Sequence, residues 1–176
     1  MIWMSSHGYE IKTSFDFFRK MLDEREDFLK TPTSSRHAIN CALTGWHLHE
    51  WVFAEYTAYF NSKGIYRIED LRTYLYQNTY AFRDFRDLAD GSKHFSLTHR
   101  ISTIVNTELR EAGTPWGLNR KLESDTLVVT TAPGVGIVTT FDDLLYCVSF
   151  FWYRFFLIEL KMRKETEQLM NSYSSF

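Results

Sequence analysis

The chain has 176 residues, a formal net charge of −2, 44% apolar residues and only two cysteines. That length suits one domain that buries about 70% of its unfolded surface, so neither a metal nor a disulfide is needed to hold a core. The near-neutral balance excludes a global field for nucleic acid, and any RNA contact must come from a local basic patch.

The apolar residues are unusual in kind, with fifteen Phe, ten Tyr and five Trp. Rings carry a large buried area each, which predicts a core built on aromatics and surplus ring surface spent on a homodimer interface. Cys41 and Cys147 fall inside apolar helical segments and are expected as buried free thiols. The lack of a disulfide framework points to a reducing, cytoplasmic compartment. Met1 to His7 has no basic region followed by an apolar stretch, so no secretory leader is expected there.

The first helix is expected over residues 11–29. Ile11, Phe15, Phe18, Leu22 and Leu29 line one face, with Asp23, Glu24, Arg25 and Asp27 on the other. Thr31-Pro32-Thr33-Ser34 stops it and caps a second helix over 34–61, whose stripe is Ala38, Cys41, Gly45, Leu48, Val52, Tyr56 and Tyr59. Small residues at Ala38, Cys41, Ala42 and Gly45 predict a close helix–helix approach. Gly64 is placed to end this helix in the left-handed conformation. A third helix is expected over 68–90 with Leu71, Leu75, Phe82, Phe85 and Ala89 inward and Gly91 closing it.

The pattern then changes to strands. Phe95 to Val105 alternates, Asn106 to Ser124 is polar, and Thr126–Thr131 and Val135–Thr140 flank the turn Ala132-Pro133-Gly134. Thr140, three residues before Asp143, has the spacing of a helix cap. Leu144 to Leu160 is almost wholly apolar, yet Arg154 sits inside it and its seventeen residues fall short of the roughly 20 that span a bilayer. A buried central helix is expected and no membrane partner. The fold class is therefore mainly α (α+β). About four long antiparallel helices form a bundle from 11–91 and 141–170, and a small β-hairpin sheet over 95–140 is inserted before the last helix.

Chemistry-bearing residues gather on the second and third helices. His47 and Glu50 are three apart and share a face, from which His49 points away. The run FRDFRDLADGSKHF supplies Arg83, Arg86, Asp87, Asp90 and His94. Arg83 with Asp87 and Arg86 with Asp90 have ion-pair spacing on a helix surface, and His94 can neutralise the last carbonyls of its helix. The same residues suit metal-free RNA cleavage. A histidine takes the proton of a ribose 2′-hydroxyl, while an arginine stabilises charge developing on the phosphate.

Arg86-Asp87 followed by His94, on a bundle of long helices, resembles the motif of HEPN domains, with seven residues between Arg86 and His94, more than that motif has. The segments TGWHLHEW and RDLADGSKHF also resemble uncharacterised bacterial helical-bundle proteins, which carry no activity over. The HEPN resemblance implies a metal-independent, often dimeric ribonuclease of toxin or antiviral defence systems, with no cofactor and RNA as partner. Arg86 is then the phosphate stabiliser, His94 the general base or acid, and His47 and Glu50 orienting groups. Two alternatives stand beside it. One is a non-catalytic module for a protein partner. The other is a metal site built from His47, Glu50 and either Asp87 or His94.

Overall fold

The computed structural model describes residues 10–93, 102, 104–116, 120–131 and 138–173. Among them the helices are α1 (Ser14–Lys30), α2 (Ser35–Glu55), α3 (Thr57–Ser62), α4 (Ile68–Asn78), α5 (Ala81–Lys93), α6 (Phe141–Arg154) and α7 (Arg163–Met170). A π-helical turn, Phe155–Glu159, extends α6. Strands β1 (Ile104–Arg110), β4 (Thr126–Thr131) and β5 (Val138–Thr140) form an antiparallel sheet in the order β1-β4-β5. Strands β2 (Pro115–Trp116) and β3 (Arg120–Lys121) pair separately. The expected class, mainly α with a small sheet before the last long helix, is the class observed.

Local chemistry explains most of the boundaries. Thr13 and Asp16 form a reciprocal capping box that starts α1. Thr140 accepts from the Asp143 backbone N–H at 3.1 Å and caps α6, as the spacing predicted. Gly64 has φ +77°, and Ile65 N–H bonds back to the Phe60 carbonyl at 3.0 Å, the six-to-one closure of a glycine-ended helix.

Three expected long helices break. The second ends at Glu55, because the Thr57 hydroxyl donates to the Phe53 carbonyl and competes with the helical ladder near Tyr56. The third divides at Thr79, whose backbone is extended and whose hydroxyl accepts from the Ala81 N–H at 3.3 Å. The apolar spacing runs unbroken across this division, so Leu71, Leu75, Phe82, Phe85 and Ala89 are all buried as predicted. Gly91 does not end α5, which continues to Lys93, where the Ser92 hydroxyl bonds the Ala89 carbonyl. The last helix stops at Leu160, and Lys161, with φ 58°, turns the chain into α7.

The strands also differ from expectation. β1 begins at Ile104 and runs into the polar stretch from Asn106 to Ser124, and β2 and β3 lie within that stretch. Most of the predicted strand from Phe95, and the Ala132-Pro133-Gly134 turn, lie outside the described residues.

Aromatics fill the centre. Trp152, Phe18, Phe28, Phe60, Phe82, Phe85, Phe141 and Phe156 are fully buried. Phe141 meets Phe28 edge-on at 4.8 Å and stacks on Phe85 at 5.7 Å. Helix α2 packs on α1 and α5, and α6 contacts α1, α2, α5 and the sheet. The close approach predicted at the small residues occurs at Gly45, where a Cβ would stand 2.9 Å from the Phe85 ring and 3.3 Å from Val148. Arg25 is not on a solvated face as the pattern implied. It is buried where α1 meets the start of α6, next to Asp142, which partly offsets the cost of desolvating it. No described helix is long and apolar enough to cross a membrane.

A charged and aromatic cleft between three helices

Helices α2, α4 and α5 enclose a cleft of about 490 Å³. From α2 come Trp46, His47 and Glu50; from α4, Glu69, Arg72, Thr73 and Tyr76; from α5, Arg86 and Asp90. The α4 residues stand at steps of three, one and three, one face of a helix whose opposite face buries Leu71 and Leu75.

Two arginines enter the cleft from different helices. Arg86 donates from Nη1 to the Tyr76 hydroxyl at 2.9 Å and pairs with Asp90 at 3.8 Å. Its guanidinium lies 6.0 Å from the Tyr76 ring centre, and that of Arg83 lies 5.5 Å from the same ring. Arg72 pairs with Glu50 at 3.3 Å and lies 5.8 Å from the buried Trp46 ring. The Trp46 and Tyr76 rings are parallel within 4°, with centres 6.1 Å apart. A guanidinium stays charged at every physiological pH and keeps its planar donor fork, so the pair offers two fixed cations. Glu50 and Asp90 pair with them, and Glu69 adds a third carboxylate to the lining, so the cleft is polar rather than basic.

His47 Nδ1 lies 3.4 Å from the second oxygen of Glu50, so Glu50 holds His47 and Arg72 together. His49 points away from the cleft, as its position on α2 required. It is buried, its Nδ1 faces the Trp46 carbonyl, and Nε2 accepts from Arg72 Nε at 3.0 Å. Burial, more than any neighbouring charge, pulls its pKa from the usual 6.5 down to about 4, so it is neutral.

Of the residues singled out in the sequence, His47, Glu50, Arg86 and Asp90 line this one cleft, and His94 lies outside the described residues. Asp87 is not part of it. It is buried and accepts from the Ser102 hydroxyl at 3.1 Å. Among the described residues no group of three or more His, Cys, Asp or Glu side chains is placed to hold a metal ion. Trp51 is 37% exposed and stacks on Phe17 at 4.9 Å. Both cysteine thiols are pushed up by burial, which disfavours the nucleophilic thiolate. Cys41 is buried as expected, while Cys147 is only partly so.

Sequence reasoning missed Arg72 and Tyr76. Their signal was present in the polar spacing of Glu69, Arg72, Thr73 and Tyr76 along one helix face. No family model, curated protein or solved structure matches the chain.

Proposed function

We propose that the α2–α4–α5 cleft binds RNA and cuts it without a metal ion. The observation that supports this reading is that Arg86 of α5 shares one cleft with His47 and Glu50 of α2, although α3 and α4 separate the two helices in sequence. Arg86 neutralises the phosphate as charge develops on it, and His94 moves the 2′-hydroxyl proton, with His47 and Glu50 orienting the strand. Attack by the ribose oxygen breaks the bond to the 5′-oxygen, which takes up a proton. The products are a 2′,3′-cyclic phosphate and a free 5′-hydroxyl. A phosphate entering beside Arg86 and Arg72 displaces carboxylate partners already in place, and with two cationic contacts its binding weakens only modestly as salt rises. Such an activity fits a cytoplasmic toxin or antiviral defence role, as the HEPN resemblance implies.

The test incubates single-stranded and structured RNA with the protein in excess EDTA, alongside Arg86→Ala and His94→Ala variants. Expected is cleavage that leaves cyclic phosphate ends and drops at least about 100-fold in each variant. No cleavage by the folded wild type, or equal cleavage by Arg86→Ala, overturns the reading. A second reading, a non-catalytic module for a protein partner, is favoured by the exposed apolar side chains of Tyr146, Phe150 and Ile158, away from the cleft.

A further inference from the structure

The apolar run of α6 was expected to be buried on all sides, and it is not. One face buries Leu144, Leu145, Val148 and Trp152, while Tyr146, Phe150 and Ile158 stand 47%, 39% and 51% exposed on the other. Arg154, also exposed, lies between the last two. The rings of Tyr146 and Phe150 stack at 5.8 Å and within 8° of parallel, so they form a continuous ridge. Beside the ridge runs a groove of about 310 Å³, walled by Tyr74, Cys147, Phe151 and Phe155. A contiguous apolar surface of this kind on a water-facing helix marks a place that something covers.

The order of side chains along the ridge identifies the cover. Tyr146, Phe150 and Arg154 are spaced by four and four, so the row is symmetric in position about Phe150 and complementary in chemistry across it. We propose that this face is a two-fold interface between two copies of the chain, with their α6 helices crossing antiparallel at Phe150. That crossing sets Phe150 on Phe150 of the second copy and lays each Arg154 guanidinium over Tyr146 of the other. One symmetry operation thus makes two cation–π contacts and one ring pair. An unrelated partner helix has no reason to match a row that complements itself.

The ridge from Tyr146 to Ile158 is about 18 Å long at the helical rise, less than a standard interface of about 800 Å² per partner requires. Tyr74 in the groove wall and Tyr80, 54% exposed, extend the covered area. The dimer is accordingly of the small, dissociable kind.

Sedimentation velocity over a concentration series, from submicromolar to submillimolar, tests the interface on the full chain. Wild type is expected to pass from monomer to dimer, and Phe150→Asp to remain monomeric with an unchanged circular dichroism spectrum. Tyr146→Lys, which sets like charges against each other, is expected to be monomeric. Adding Arg154→Glu to Tyr146→Lys restores the dimer by exchanging the attraction for an ion pair. A wild type that is monomeric throughout overturns the proposal, as does a dimer that survives Phe150→Asp. Failure of the double variant to recover, with both chains folded, overturns the crossing at Phe150.

Discussion

Arg72 Nε donates to Nε2 of His49 at 3.0 Å, and this bond decides which nitrogen of the buried ring carries its proton. A nitrogen that accepts has a lone pair, so the hydrogen is on Nδ1, where the Trp46 carbonyl receives it. One buried, neutral histidine thereby fixes the guanidinium that faces Glu50 across the cleft. The cation of α4 is held from behind by a side chain of α2 that never reaches the cleft.

This arrangement gives a pH dependence with a definite sign. With its pKa down at about 4, folded His49 refuses a proton that the unfolded chain accepts below about 6.5. Stability is therefore full above pH 6.5, falls as pH drops from 6.5 towards 4, and levels off below, by about 3 kcal/mol in all. His49→Phe keeps an aromatic ring, a somewhat larger one, and removes the titration. In urea melts at stepped pH, the wild-type loss between pH 6.5 and 4 is expected to exceed that of the variant by this margin. Parallel curves for the two proteins would refute the assignment. At pH 7.5 the variant is expected to be less stable by about 1–3 kcal/mol, since Arg72 and the Trp46 carbonyl each lose a partner.

Gly45 sits where α2 comes closest to α5 and α6. An alanine there gains up to about 1 kcal/mol of helix propensity. Its methyl, however, meets the fully buried Phe85 ring at 2.9 Å, and that ring is stacked on Phe141 and has little room to move. Overpacking of this kind costs about 1–3 kcal/mol, so Gly45→Ala is expected to lower the denaturant midpoint despite the propensity gain. Combining it with Phe85→Leu recovers part of the loss if the ring is the obstacle. A variant more stable than wild type would show that Phe85 yields freely.

The Tyr76 hydroxyl is the short contact that orients Arg86, at 2.9 Å. Tyr76→Phe leaves the ring beneath Arg83 and Arg86 and removes only that acceptor. Stability is expected to change by less than about 1 kcal/mol, because the site is open to water. On the ribonuclease reading, kcat falls several-fold with KM almost unchanged, since the guanidinium remains in the cleft but is less well aimed. An unaltered kcat in Tyr76→Phe, beside a large loss in Arg86→Ala, would show that Arg86 needs no help from the phenol.

What the sequence by itself determined is what depends on neighbours along the chain. The 3.6-residue period placed Leu71, Leu75, Phe82, Phe85 and Ala89 inward even across a helix break that it did not foresee. Gly64 and Thr140 ended and began helices through hydrogen bonds that reach no farther than five residues. The spacing of His47 and Glu50 likewise put them on one face. The breaks at Tyr56 and Thr79 stayed hidden because a hydroxyl turning back on its own backbone leaves the apolar pattern unchanged.

Only the tertiary structure decided which faces meet. A helix carries its period in its sequence, but what covers each side depends on distances between helices, here set by the contact of Gly45 with Phe85. That packing buried Arg25 beside Asp142, left Tyr146 and Phe150 in water, and brought Arg72 and Tyr76 of α4 against His47, Glu50 and Arg86. Burial and charge pairing are properties of the space between segments, so the cleft exists only once the three helices are packed.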